Sequence, residues 1–106
     1  MGQEFAVATQ RSDYVRVIYK YPLAYVFTLP KTEQVLLIPR DAKFLSTQVQ
    51  YDRVTLWFEV DPDNASLSTE FVVVGTGSKF EEEGLVYLGT VQQDSFVWHI
   101  YMRPNA

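Results

Sequence analysis

Residues 44–60, FLSTQVQYDRVTLWFEV, decide how this chain folds. They read as two β-strands, Phe44–Gln50 and Val54–Val60, turning near Asp52-Arg53 with Tyr51 facing Val54. With Asp52 and Arg53 as the loop, Val49 pairs with Leu56, Thr47 with Phe58 and Leu45 with Val60 on one face. Gln50–Thr55, Gln48–Trp57 and Ser46–Glu59 share the other. Opposed residues of an antiparallel pair lie on one face, and a slip of one residue would turn the whole apolar set into water. The pairing therefore predicts a core face of Leu45, Thr47, Val49, Leu56, Phe58 and Val60. The opposite face is polar apart from Trp57.

Upstream, Tyr14–Tyr21 alternates, with Val15, Val17 and Tyr19 on one side and Arg16, Ile18 and Lys20 on the other. Pro22 cannot donate to a ladder, so the strand ends there or lies at an edge. Ala24–Leu29, closed by Pro30, and Gln34–Ile38, closed by Pro39, are two further β-favouring runs. The prolines leave no room for an ordinary helix in this third of the chain. Residues 1–13 read as an arm with a short strand at Phe5–Ala8, and Arg40–Lys43 as a turn into the hairpin.

Downstream, Asp61-Pro62-Asp63-Asn64 is a turn, followed by a strand at Thr69–Val74. Ser78 and Glu81 have capping-box spacing, which predicts one helical turn over Ser78–Glu83 ended by Gly84. Leu85–Gln92 and Ser95–Met102 form a second hairpin turning at Gln93-Asp94. Its expected pairs are Val91–Phe96, Gly89–Trp98 and Tyr87–Ile100 on one face, and Thr90–Val97, Leu88–His99 and Val86–Tyr101 on the other. Trp98 would lie over the bare backbone of Gly89. Both faces are largely apolar, which predicts a central hairpin covered on both sides. Residues 103–106 are a short tail. Seven to nine short strands with frequent turns predict an all-β, single-domain antiparallel sandwich or small barrel over residues 14–102.

The 106-residue length fits one domain, and 47% hydrophobic residues supply a core without staples. The absence of cysteine removes disulfides and thiol chemistry and is compatible with a reducing cytoplasm. The N-terminus has neither a basic nor an apolar leader region, and no apolar run approaches the roughly 20 residues that cross a bilayer. A cytoplasmic protein without a membrane role is expected. A net charge of −4 argues against binding a nucleic-acid backbone.

Three motifs fall short of their chemistry. Asp61-Pro62-Asp63-Asn64 begins like a calcium loop, but Ala65 and Ser66 stand where a ligand and glycine belong. Gly75-Thr76-Gly77-Ser78-Lys79 resembles the tail of a phosphate loop, but Val72 replaces its first glycine. Its backbone amides could still receive an anion. His99, the lone histidine, has Leu88 as its expected cross-strand neighbour and no carboxylate placed to orient it. No enzyme activity, metal or cofactor is expected. A hydrolase would need His99 accessible beside a carboxylate.

The expected binding surface is the polar face of the first hairpin. Trp57, with Gln48, Gln50, Thr55 and Glu59, joins a flat apolar plate to amide donors and acceptors, which suits a small planar ligand or a partner protein. Gly75, Thr76 and Gly77 are added as an anion-receiving loop. The bland alternatives are Trp57 buried under another strand or the arm, and glycines that only let the chain turn.

The ordered string IYKYPL (18–23), IPRDAKFLSTQVQ (38–50), LWFEVDP (56–62), FVVVGTG (71–77), YLGTVQ (87–92) and VWHIY (97–101) resembles a family of short proteins of unknown function found mainly in bacteriophages and prophages. This chain carries extra material, AYVFTLPKTEQ (24–34), between two of these pieces, and its first 13 residues fall outside the resemblance. The resemblance implies a phage-type accessory protein and carries no catalytic residue. The expected function is binding of a host protein, or sequestration of a small nucleotide-like signal, as counter-defence. The alternative is a structural or assembly protein that forms oligomers or joins a virion.

Overall fold

The computed structural model describes residues 15–105. The strand expected at Phe5–Ala8 lies outside them. Seven strands follow one another: β1 (Val17–Pro22), β2 (Lys31–Pro39), β3 (Lys43–Gln50), β4 (Arg53–Val60), β5 (Ser66–Gly75), β6 (Val86–Gln93) and β7 (Phe96–Arg103). They form a three-stranded sheet in the order β1-β4-β3 and a four-stranded sheet in the order β2-β5-β7-β6, every ladder antiparallel. The chain is all-β, and two open sheets enclosing one apolar layer make a small β-sandwich rather than a barrel.

Alternation decides the layer. Val54, Leu56, Phe58 and Val60 of β4 are all buried, as are Phe71 and Val73 of β5 and Trp98 and Ile100 of β7. Phe58 is the hub: its ring meets Tyr21 at 5.9 Å, Phe44 at 5.6 Å and, across the sheets, Phe71 at 6.3 Å, all edge to face. The two sheets also join through polar groups, where Thr47 Oγ1 donates to the Leu88 carbonyl at 2.8 Å.

The first hairpin corrects the expected register. Its turn is Tyr51-Asp52, not Asp52-Arg53; Gln50 faces Arg53, Val49 faces Val54 and Thr47 faces Leu56. Both turn residues have positive φ, 53° and 62°, the backbone that matches strand twist in a two-residue hairpin. Residues near the turn keep their faces, because the slip is two residues and the side-chain period is also two. A bulge between Phe44 and Ser46 then ends the alternation. Phe44 packs on Phe58 while Leu45 is left 39% exposed, so Phe44 takes the core position expected of Leu45.

The second hairpin shows the same pair of corrections. It turns at Asp94-Ser95, Gln93 faces Phe96, and a bulge falls between Tyr87 and Gly89. Trp98 pairs with Val91, and Gly89 faces Ile100 instead. The space that Gly89 leaves is used by Thr47, whose Cβ would lie 3.3 Å from an added methyl. The bare backbone beside Trp98 is that of Gly75. Only half of the hairpin is central: β7 lies between β5 and β6, whereas among the described residues β6 is a sheet edge, with Val86 and Tyr87 exposed.

Two connecting segments also differ from expectation. Residues 24–29 form no strand; the segment plugs one end of the sandwich with Phe27, beside Leu23, while Tyr25 and Val26 stay outside. Residues 76–85 form no helical turn. They lie over the outer face of the four-stranded sheet, with Phe80 against Tyr101 at 5.5 Å and Glu82 ion-paired with Lys31. Val72 and Val74, which alternate outward from Phe71 and Val73, are therefore buried all the same.

Candidate functional site

The polar face of the first hairpin exists, and its groups are committed to one another. Trp57 is half-buried between Lys20 of β1 and Ser46 of β3. Lys20 Nζ donates to Gln50 Oε1 at 2.7 Å, bridging the outer strands over β4, and Gln48 Nε2 donates to Ser46 Oγ at 3.0 Å. Thr55 is 1% exposed and donates to the Arg53 carbonyl, while Glu59 is paired with Arg16 at 2.8 Å. The result is an internally bonded surface.

Gly75, Thr76 and Gly77 belong to the other sheet and do not join this face. Gly75 is buried, and a methyl there would lie 2.7 Å from Leu29 Cδ2 and 3.3 Å from Trp98 Cζ3. The Thr76 amide donates to the Val97 carbonyl and the Ser78 amide to that of Gly75, so two of the donors expected to hold an anion are already used. Gly77, with φ 86°, turns the chain off β5.

His99 is half-buried, and hydroxyls occupy both ring nitrogens: Thr76 Oγ1 lies 2.7 Å from Nε2 and Thr90 Oγ1 2.9 Å from Nδ1. Thr90, the direct cross-strand partner, also bonds the Tyr87 hydroxyl. Hydroxyls can donate or accept, so this row accommodates the imidazole without a carboxylate. Among the described residues no group of three or more His, Asp or Glu side chains is gathered to hold a metal ion.

An aromatic cleft lies elsewhere, where both hairpin turns meet the segment after β1. A cleft of about 290 Å³ is lined by Tyr25, Val26, Phe27, Asp52, Gln93, Asp94, Phe96 and Trp98. Its floor is aromatic. Phe96 stacks on Trp98 at 5.3 Å and 18°, and Phe27 meets Trp98 edge-on at 5.1 Å. Its rim is open: Tyr25 is 63%, Val26 79% and Phe96 52% exposed.

Gln93 holds the cleft together. It is buried, accepts from Trp98 Nε1 at 3.1 Å and donates to the Asp52 carbonyl at 2.6 Å, with the Tyr25 carbonyl at 3.5 Å. One side chain thereby ties β7, the first turn and the Tyr25 segment. Arg53 adds a second tie: its Nε donates to the Leu23 carbonyl at 2.8 Å, and its guanidinium lies 4.2 Å from the centre of the Tyr25 ring.

Sequence reasoning singled out none of these residues as a site. One signal was available: AYVFTLP places two large aromatics between prolines, in a run too short and too broken to bury both. The meeting of that run with two distant turns was not available, because it depends on which sheet each hairpin joins.

The fold and this cleft define a small β-sandwich with an aromatic cleft at its hairpin end. The chain belongs to the family described as a domain of unknown function, DUF7352, whose family model matches residues 15–106. No curated protein and no solved structure matches it.

Proposed function

We propose that the protein is a non-enzymatic accessory binding module of the phage or prophage kind that engages a host protein through the aromatic cleft. The observation that carries this reading is a pre-formed cleft whose apolar residues Tyr25, Val26 and Phe96 are left in water although the chain has a core to hold such side chains. Exposed aromatics braced by buried hydrogen bonds are the usual anchors of protein recognition. The phage setting, and with it a counter-defence role in the host cytoplasm, rests on the resemblance of the ordered motifs. The His99 row supports binding over catalysis, since both ring nitrogens face threonine hydroxyls and among the described residues no carboxylate orients the imidazole.

Sequestration of a nucleotide fits the cleft poorly. Asp52 and Asp94 stand on its rim, and 290 Å³ is at or below the roughly 300 Å³ where small-ligand pockets begin. The protein has two tryptophans, so Trp57→Phe leaves Trp98 as the sole indole reporter, in the cleft. Titration of that variant with basic, acidic and apolar peptides and with nucleotides should give a saturable emission change for one class, lost in Phe96→Ala. No change with any class at millimolar concentration would refute the reading.

One observation favours a second reading, an assembly protein. Among the described residues β2 is a sheet edge, with Val35 and Leu37 60% and 65% exposed, the kind of edge that pairs with another chain. Solution mass and co-purification with virions separate it from the first.

A further inference from the structure

We infer that the cleft receives a cationic side chain, an arginine or lysine presented by a basic segment of the partner protein. The inference rests on the reading of the cleft as the binding surface and adds what that surface selects.

The argument starts from charge. Asp52 and Asp94 are exposed, and among the described residues neither carboxylate is paired with a cation. Each sits in a hairpin turn at positive φ, 62° and 55°, and the two residues line one cleft although they are far apart in sequence. Two unpaired negative charges at an aromatic mouth repel phosphates and carboxylates and attract cations. Aromatic faces add to this, because a guanidinium or ammonium is drawn to the negative face of a ring. The molecule shows that preference nearby: Arg53 lies 4.2 Å over Tyr25, and Lys20 5.6 Å over Tyr51. A volume of about 290 Å³ suits a side chain rather than a whole ligand, and the long apolar stem of Arg or Lys would lie along Val26 and Phe96.

The test uses Trp57→Phe as the background and tetra-arginine, tetra-glutamate and ATP as probes. Saturable binding of tetra-arginine is expected, with tetra-glutamate and ATP weaker or absent. Asp52→Asn with Asp94→Asn should weaken tetra-arginine by roughly twofold to thirtyfold, the range of two exposed charge pairs. Asparagine adopts positive φ readily, so this double variant keeps both turns. Added salt should narrow the difference between the two proteins.

Equal affinity of the double variant for tetra-arginine would overturn the inference. So would ATP or tetra-glutamate binding more tightly than tetra-arginine, although the cleft would then still be a binding surface. No response to any probe, together with none to apolar peptides, would overturn both readings.

Discussion

Replacing Gln93 by methionine should uncouple the two hairpins at the cleft, and the cost can be worked from its bonds. Methionine has similar length and no amide. The substitution leaves the indole N–H of Trp98, a residue 3% exposed, without its acceptor, and removes the 2.6 Å donor from the Asp52 carbonyl. An orphaned buried donor costs about 1–3 kcal/mol, and the loss of a hydrogen bond at a partly hydrated carbonyl about 1 kcal/mol. The expected destabilisation is therefore about 2–4 kcal/mol. At a urea m-value of about 2 kcal/mol/M this is a fall of roughly 1–2 M in the midpoint.

The assay is urea unfolding followed by far-UV circular dichroism, run as a double-mutant cycle with Trp98→Phe. Phenylalanine has no N–H to orphan, so Gln93→Met should cost at least about 1 kcal/mol less in that background. Costs equal in the two backgrounds to within about 0.5 kcal/mol would show that the Gln93–Trp98 bond does not carry the effect. The cycle should also move function. Without Gln93, the first turn and the Tyr25 segment lose their shared tie, and Phe96→Ala should then lower the binding of any cleft ligand by a smaller factor.

Glycine substitutions should separate space from backbone strain. Gly89→Ala meets both a φ of 139° and Thr47 at 3.3 Å, and we expect it to cost about 2–3 kcal/mol. Gly75→Ala meets Leu29 at 2.7 Å, but that side chain is 61% exposed and free to swing, so about 1 kcal/mol is expected; thermal unfolding ranks the two. In the first turn, Tyr51→Asn with Asp52→Gly supplies the residues that two positive φ angles favour, and should raise stability by about 1 kcal/mol. Unchanged stability would mean that Lys20 over the Tyr51 ring offsets the backbone gain. Burial, with Tyr19 adding to it, raises the Tyr21 phenol above its ordinary value of 10.0. The folded state then holds this proton when the unfolded chain has lost it. The stability this contributes is complete below pH 10.0 and declines as pH rises through the folded value. Tyr21→Phe should flatten that alkaline decline, as followed by unfolding at stepped pH.

Much of the fold was legible because it follows from local chemistry. Alternation marked β1 and β4, prolines and Asp-Asn clusters marked the breaks, and the apolar row of β4 named Leu56, Phe58 and Val60 of the core. Registers were legible only to within two residues. The pattern repeats every two residues and cannot distinguish one turn from another displaced by the same step, whereas the molecule settles the matter by left-handed residues at Tyr51, Asp52 and Asp94. Bulges were not legible at all. They exchange Phe44 for Leu45 and seat Gly89 against Thr47 because the two sheets have to meet there, a requirement written in neither strand alone.

The same division holds for the candidate site. The amino-acid sequence by itself determined an acidic all-β chain without cysteine, a core rich in aromatics, and a tryptophan on a polar hairpin face. Tertiary structure decided that this face bonds to itself through Lys20, Gln50, Arg16 and Glu59. It also decided that Tyr25, Asp52, Gln93, Asp94, Phe96 and Trp98, spread over 74 residues of chain from 25 to 98, share one cleft. Local propensity acts over a few residues, and only the pairing of strands into two sheets brings both turns to the same end of the molecule.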